Sequence, residues 1–236
     1  MTETTPTLEM RDVCKRYGGV QALADASIKI YSGEVHALVG DNAAGKSTLI
    51  KIMSGAVARD SGTIYFAGSE AHVDSPRAAK ALGIETVYQD LALADNLDVP
   101  SNIFLGRELT HKGLLRFFLD LGRMEEEARR LLGRLKINIP STRQKVRSMS
   151  GGQRQSIAIA RSVYFNAKVV ILDEPTAALG VEETRKVYDL VREMRAQGLA
   201  VLMISHNMNH VFEHADRITV MTVSYTHLTL PTNREV

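Results

Sequence analysis

The sequence contains no tryptophan and a single cysteine, Cys14. One cysteine cannot close a disulfide within the chain, which excludes a disulfide-stapled secreted domain and favours a reducing cytosol. Because free cysteines usually behave as small apolar residues, we expect Cys14 to lie buried or half-buried in a strand rather than to act as a reactive thiol.

An excess of charge of one sign is also absent. The 29 basic and 27 acidic residues leave a formal net charge of +2. A nucleic-acid-binding protein carries a basic face and a membrane-surface protein often carries a polybasic patch, so this balance argues against both. We therefore expect no nucleic-acid partner.

Long apolar runs are missing as well. No stretch approaches the length of a membrane-spanning helix, and residues 1–6 have neither the basic start nor the apolar core of a signal peptide. If the protein serves a membrane, we expect it to do so from the cytosolic side through a partner.

The sequence does contain an alternation of strand and helix patterns. Continuous apolar runs predict buried strands, and helical patterns at residues 47–54 and 181–197 lie between them, which together favour a mostly parallel sheet. Residues 8–31 predict short strands and turns, as in an antiparallel N-terminal part. The buried runs are residues 34–39, 169–172, 199–204 and 216–221.

The middle of the chain, about residues 91–165, has few strand signals. Five apolar residues there follow helical spacing, and favourable Glu–Arg pairs stand four residues apart. We interpret this region as a helical subdomain inserted into an α/β core. The five residues are Met124, Ala128, Leu131, Leu132 and Leu135.

Residues 40–48 (GDNAAGKST) fit the phosphate-loop pattern G-x-x-x-x-G-K-S/T between a predicted strand and a predicted helix. A loop with small side chains lets backbone N–H groups surround a phosphate, and the following helix points its positive end at the same anion. Lys46 supplies a charge for the β- and γ-phosphates, and the Ser47 hydroxyl is suited to Mg²⁺. The alternative is an ordinary glycine turn before a helix. The expected nucleotide-binding residues here are Gly40, Asp41, Asn42, Ala43, Ala44, Gly45, Lys46, Ser47 and Thr48.

Two acids, Asp173 and Glu174, follow directly after the buried run at residues 169–172. Open α/β sheets bind ligands at the carboxyl ends of their strands. Asp173 is therefore placed to hold Mg²⁺ and Glu174 to polarise an attacking water as general base. The alternative is that both acids only cap the next helix or solvate the strand end.

Ser150-Gly151-Gly152-Gln153 precedes a predicted helix, with Ser150 as a candidate N-cap. By itself this string is a weak turn-and-cap signal. It lies about twenty residues before the paired acids and about a hundred after the phosphate loop. In that position it resembles the signature sequence of ATP-binding cassette (ABC) ATPases.

Three further residues occur in the same order along the chain as functional residues of that family. Tyr17 resembles the aromatic residue that stacks on adenine, Gln89 the glutamine that senses Mg²⁺ and the permease, and His206 the switch histidine that contacts the γ-phosphate. Singly, each has an ordinary alternative: a surface aromatic, a solvated loop residue and a satisfied strand-end histidine. Their joint order and spacing argue against those alternatives.

The resemblance covers about residues 8–221 and implies an α/β fold with a P-loop NTPase core, within a domain spanning residues 1–221. It also implies that ATP on the phosphate loop of one subunit is contacted by the signature residues of a second subunit. The implied cofactors are ATP and Mg²⁺. The implied catalytic residues are Lys46, Gln89, Glu174 and His206, the metal ligands Ser47, Gln89 and Asp173, and the remaining nucleotide contacts Tyr17, Ser150, Gly151, Gly152 and Gln153.

A narrower resemblance is to the ATPases of monosaccharide importers of the ribose, xylose and fructose type, carried by residues 40–42, 88–93, 95–99 and 102–107. It implies a single-cassette homodimer on the cytoplasmic face of the inner (plasma) membrane. Its implied partners are integral-membrane permease subunits and an extracytoplasmic sugar-binding protein. A soluble non-transport ABC ATPase and a nucleotide-binding regulator without turnover are the alternatives.

Three features depart from the family pattern. Ala43 stands where the family usually has glycine, so its methyl group should weaken phosphate binding if that position needs a positive φ. Gly180 stands where most members have aspartate, although the monosaccharide branch often has glycine. From about Val223 the sequence leaves the family pattern, so we expect residues 222–236 to be a non-native or disordered tail that replaces the native C-terminus. The alternative is an unusual native tail.

Overall fold

The computed structural model describes residues 5–222 and 226–231, which form two sheets and seven α-helices. The strands are β1 Leu8–Tyr17, β2 Val20–Ile30, β3 Val35–Gly40, β4 Ser61–Phe66, β5 Ser69–Glu70, β6 Ile84–Val87, β7 Val169–Asp173, β8 Ala200–Ile204, β9 Arg217–Met221 and β10 Thr226–Pro231. The helices are α1 Lys46–Met53, α2 Pro76–Leu82, α3 Val99–Ile103, α4 Leu121–Arg134, α5 Gly151–Tyr164, α6 Val181–Ala196 and α7 Met208–His214.

The larger sheet is parallel except at one edge. Its strand order is β10-β9-β3-β8-β7-β6, and β10 alone runs antiparallel to its neighbour. Every residue of β8 is buried, as are the first four residues of β7. These two strands are covered on both faces, which is why their sequences are continuous apolar runs rather than alternating patterns.

Each face of this sheet has its own apolar layer. On one face, Ile171 and Leu202 pack in a cluster with α1 and with the second, antiparallel sheet, whose order is β2-β1-β4-β5. On the other face, Val170 and Leu172 pack with α5 and α6. The predicted α/β core with an antiparallel N-terminal part is confirmed.

The helix-rich middle of the chain is also confirmed, because α3, α4 and α5 follow β6 and precede β7. All five residues predicted to form its apolar face are at most 4% exposed. Asn102 of α3 is fully buried. Its Oδ1 accepts from the backbone N–H of Ala94 at 2.7 Å, and its Nδ2 donates to the backbone oxygen of Ala94 at 3.1 Å. The limits of the subdomain at about residues 91 and 165 stay a prediction.

Residues 226–231 form the edge strand β10 against β9. Residues 223–225 and 232–236 lie outside the described residues, so the origin of the final segment stays a prediction. Cys14 lies half-buried in β1, where its Sγ donates to Asp25 Oδ1 at 3.2 Å. Within residues 5–222 and 226–231, no helix has both the length and the apolar character needed to cross a bilayer.

Candidate active site

Four predicted functional segments meet at one edge of the parallel sheet because of its strand order. The strands β6, β7, β8 and β3 are consecutive neighbours and run in the same direction. Their carboxyl ends therefore face the same way and carry, in turn, Gln89, the acids Asp173 and Glu174, His206, and the phosphate loop. Residues up to about 170 positions apart in the sequence are brought to one edge of the sheet by this arrangement.

Lys46 is the most enclosed polar residue of the phosphate loop. Its side chain is directed into the loop, where Nζ donates to the carbonyl oxygen of Gly40 at 2.6 Å and to that of Asp41 at 2.8 Å. Burial lowers the pKa of Lys46, whereas the carboxylates of Glu174, Asp41 and Asp173 act in the opposite direction. The ammonium group thus lies in the field of both acids that follow β7.

The rest of the phosphate loop is open to solvent. Asp41, Asn42, Ala43 and Ser47 are exposed, while Ala44 is buried in the cluster that includes Leu23 of β2. An exposed rim anchored by one buried residue leaves the loop itself accessible to a bound anion, as a phosphate loop requires.

Ala43 has a φ of +73°, in the left-handed region. Ala43 therefore does occupy a position with a positive φ, where glycine is favoured. An L-residue such as alanine loses about 1–2 kcal/mol in this conformation. We predict that Ala43→Gly raises the free energy of unfolding by about 0.5–1 kcal/mol, since part of the relief is offset by glycine's larger unfolded-state entropy. Thermal unfolding should show a gain of roughly 1–4 °C.

The matched control is Ala44→Gly, one residue further on. Ala44 is 5% exposed and does not have a positive φ. There the substitution removes a buried methyl group and adds backbone freedom, so the melting temperature should fall. A fall in both variants would show that Ala43 is not strained.

Glu174 and His206 form a close pair between neighbouring strand ends. His206 Nε2 lies 2.7 Å from Glu174 Oε1. Glu174 has a φ of +49°, and its backbone N–H donates to Ile204 O of β8 at 3.1 Å. The strained backbone is thus held by the adjacent strand, which fixes the carboxylate against the imidazole.

Asp173, one residue earlier, is half-buried at the end of β7. Burial raises the pKa of Asp173, and the Glu174 carboxylate raises it further, while His206 and Lys46 oppose the shift. The ionised carboxylate is therefore costly in the folded chain, as expected for a group whose working partner is a cation.

Asp173→Asn should stabilise the ligand-free chain at pH 7–8. A carboxyl whose folded pKa is raised makes folding less favourable as pH rises from the unfolded pKa, about 3.9, through the folded pKa. The variant should melt higher at pH 7–8, by roughly 2–4 °C for each 1 kcal/mol removed, and the difference should vanish near pH 3. Melting curves of both chains without nucleotide or Mg²⁺ test this.

The control is Asp189→Asn, on the exposed side of α6, where the carboxylate pairs with Arg192. Its melting temperature should stay the same or fall slightly. An unchanged melting temperature for Asp173→Asn at pH 8 would contradict the prediction.

Gln89 and Tyr17 occupy the margins of the site. Gln89 is exposed in the loop after β6, and the preceding residue anchors that loop: Tyr88 Oη hydrogen-bonds Ser54 Oγ at 3.0 Å, at the end of α1. Tyr17 is 46% exposed at the end of β1, where Lys15 Nζ lies 5.7 Å from its ring centre. An exposed ring is available for stacking, so the adenine-binding role of Tyr17 stays a prediction.

The signature residues form a separate surface. Ser150 caps α5: its Oγ accepts from Gln153 N at 3.3 Å, and Gln153 Oε1 accepts from Ser150 N at 3.1 Å. Their neighbours are at the start of α6. A Cβ added to Gly152 would lie 2.8 Å from Glu183 Cβ, and one added to Gly151 would lie 3.0 Å from Leu179 Cδ2. Gly152 is thus required for close packing against Glu183, whereas at Gly151 the contact is with the flexible end of Leu179.

The structure therefore brings Lys46, Asp173, Glu174 and His206 together and places Ser150–Gln153 against α6. Two relationships are not predicted from the sequence. The pairing of Glu174 with His206 depends on strand order, which has no local signal. Glu183 is missed because an acid in the first turn of a helix is common and carries no specific signal.

Comparisons with known proteins show the family to which the chain is similar. Residues 23–177 match the family model described as ABC transporter. A xylose/arabinose import ATP-binding protein of Sulfolobus acidocaldarius is 52% identical over 214 residues, 91% of this chain and 84% of the relative. A fructose import ATP-binding protein of Rhizobium meliloti is 49% identical over 219 residues, with the same two coverages. The chain covers 42% of an Escherichia coli ribose import ATP-binding protein that is 39% identical over 218 residues.

Solved structures give the same result for the fold. A nucleotide-free ATP-binding cassette from an ABC transporter matches with a TM-score of 0.83 at 25% identity, over 96% of this chain and 91% of that one. An ATP-binding cassette of an ABC transporter in its ADP conformation matches with a TM-score of 0.82 at 25% identity, over 97% and 92%. With two thirds of its length matched by the family model and relatives about half identical to it, the chain belongs to the ABC transporter family of ATP-binding cassette proteins.

Proposed function

We propose that this chain is the ATP-hydrolysing subunit of a monosaccharide importer and that it works as a homodimer. The observation that carries the catalytic part is the Glu174–His206 pair at 2.7 Å, at the same edge of the sheet as the buried Lys46. A nucleotide-binding regulator without turnover needs Lys46 but not a carboxylate held beside an imidazole, so this pair favours an enzyme.

The residues at this edge of the sheet have different roles in phosphoryl transfer. Lys46 exchanges its two carbonyl contacts for the β- and γ-phosphates of ATP, and the phosphate-loop N–H groups surround the same anion. Glu174 accepts a proton from the attacking water. In the nucleotide-free chain His206 Nε2 holds that carboxylate in place, and when ATP binds the same N–H turns to the γ-phosphate. Positioning and charge neutralisation supply most of the rate enhancement.

The residues present also fit Mg²⁺. The Ser47 hydroxyl, the Gln89 amide oxygen and the Asp173 carboxylate are the oxygen ligands that Mg²⁺ prefers, and Asp173 carries a raised pKa that a nearby cation would reverse. When bound, the ion neutralises charge on the phosphates.

The separation of the two surfaces within one chain supports the proposed dimer. Lys46 and its acids lie at the carboxyl edge of the parallel sheet, whereas Ser150 and Gly152 lie against the start of α6. We infer that the signature residues Ser150, Gly151, Gly152 and Gln153 contact ATP held on the phosphate loop of a second copy. Each nucleotide is then enclosed by two chains.

The transport part of the proposal rests on the relatives. Xylose, arabinose, fructose and ribose import are named for them, which favours a monosaccharide importer over a soluble non-transport ABC ATPase. The permease and an extracytoplasmic sugar-binding protein are then the partners, and the chain is a peripheral subunit on the cytoplasmic face of the inner membrane. In this proposal, the loop that carries Gln89 contacts the permease.

The first test is the rate of ATP hydrolysis by the purified chain as a function of its concentration. A homodimeric site gives a rate that rises faster than linearly and becomes linear once the dimer is saturated. A strictly linear rate over the whole range would contradict the homodimer. A chain that binds ATP tightly and turns over only with permease present would keep the importer assignment and place control of closure in the partner.

A further inference from the structure

Glu183 lies where α6 begins and packs directly on the signature residues of its own chain. Its Cβ is 2.8 Å from the position that a Cβ on Gly152 would take, and its Cγ is 3.0 Å from that position. The backbone N–H of Gly180, just before α6, donates to Glu183 Oε2 at 3.4 Å. The carboxylate is therefore held between the start of α6 and the start of α5.

The electrostatics at this position are those of a bound anion. The Ser150 hydroxyl, the Gly152 N–H and the Gly180 N–H all lower the pKa of Glu183, in that order of importance. Donors at the first turn of α5 also carry the positive end of the helix dipole. The Glu183 carboxylate thus lies as an anion against its own signature residues, packed on Gly152 and 3.8 Å from the position that a Cβ on Gly151 would take.

Those donors are the ones that the proposed dimer directs at the γ-phosphate of the second copy. A hydroxyl and an N–H cannot serve a carboxylate and a phosphate at full strength at the same time, and two anions within about 4 Å repel each other strongly outside bulk water. We propose that Glu183 is a positioning residue that stands in for the γ-phosphate in the open subunit and must be displaced when the dimer closes on ATP.

The structure provides a place for the displaced carboxylate. A cavity of about 470 Å³ borders Ser150, Gly152, Glu183 and Lys186. Lys186 stands three residues after Glu183 on the same helix, and its charge already acts on that carboxylate. Rotation of the Glu183 side chain toward Lys186 frees the signature donors without moving the backbone of α6.

Glu183 therefore sets a threshold for closure rather than taking part in chemistry. Removing its charge should favour the ATP-bound dimer, whereas a purely structural role in holding the signature residues would make the same variant worse. The opposite signs of these two effects make the inference testable. It rests on the proposed homodimer, so the experiment must report on that dimer independently.

The experiment measures the dissociation constant of the ATP-loaded dimer by sedimentation velocity, in a Glu174→Gln background that prevents turnover. Adding Glu183→Gln should lower this constant at least about ten-fold, because the repulsion is removed at both sites of the dimer. Glu183→Ala should shift it in the same direction. In the hydrolysing chain, Glu183→Gln should lower KM for ATP with little change in kcat.

Glu182→Gln is the matched control, since it removes the same charge from the same helix turn but pairs with Arg185 at 3.5 Å on the exposed side. It should leave the dissociation constant within about two-fold. An unchanged or weaker dimer for both Glu183 variants, with the parent dimerising normally, overturns the inference alone. Failure of the Glu174→Gln parent to dimerise with ATP overturns the homodimer and the inference with it.

Discussion

Glu174→Gln is expected to leave ATP binding intact and to slow hydrolysis by about 10²–10⁴-fold. The amide keeps the shape of the side chain and still reaches His206, which lies 2.7 Å from the carboxylate in the parent chain. It cannot accept a proton from water at neutral pH. Lys46 and the phosphate-loop backbone, which hold the nucleotide, are unchanged.

Single-turnover hydrolysis and ATP affinity, measured on the same preparation, test this prediction. Glu126→Gln, on the exposed face of α4, is a suitable control and should hydrolyse ATP at the parental rate. A Glu174→Gln chain that retains more than about a tenth of the parental rate would show that another group accepts the proton. Loss of ATP binding in this variant would instead assign Glu174 a structural role.

Gly40→Ala is expected to destabilise the fold by at least about 3 kcal/mol, a fall of roughly 6–12 °C in melting temperature. Gly40 ends β3 with a φ of +145°, and an added Cβ would lie 2.1 Å from the backbone oxygen of Met221 in β9. Backbone strain and overpacking each cost about 1–3 kcal/mol. The added Cβ would clash with backbone atoms of the neighbouring strand β9, so no flexible side chain can move aside to relieve the contact.

Gly19→Ala is the matched control. It lies in the turn between β1 and β2, has no positive φ, and an added Cβ there would meet nothing within 4 Å. Its melting temperature should be unchanged or slightly higher. A Gly40→Ala chain that melts with the parent would mean that β9 does not lie against β3 at this point.

The strands that are buried on both faces were predictable from the sequence, because their apolar residues form continuous runs. The strands β7 and β8 are apolar at every buried position, so their pattern specifies a central strand without knowledge of the neighbours. The short elements α2, β6 and α7 were not predicted. They have 7, 4 and 7 residues, and at that length packing outweighs local pattern.

The candidate site was also predictable only in part. The phosphate loop and the acids after β7 carry local signals, because their chemistry requires particular residues at fixed spacing. The contact between Glu174 and His206 and the position of Glu183 on Gly152 are set by strand order and helix packing across 30 residues or more. No local pattern encodes such distances, so the sequence identifies Glu174, His206 and Gly152 but neither their contacts nor the part played by Glu183.

The hydrogen bond between Tyr88 and Ser54, at 3.0 Å, gives the chain a mechanical property. It ties the loop carrying Gln89 to Ser54, the residue that caps the C-terminus of α1, while the first residue of the same helix is Lys46. A helix of eight residues is a stiff rod about 12 Å long. The Gln89 loop and the phosphate loop are therefore attached to opposite ends of one short helix, so the position of each is coupled to that of the other through it.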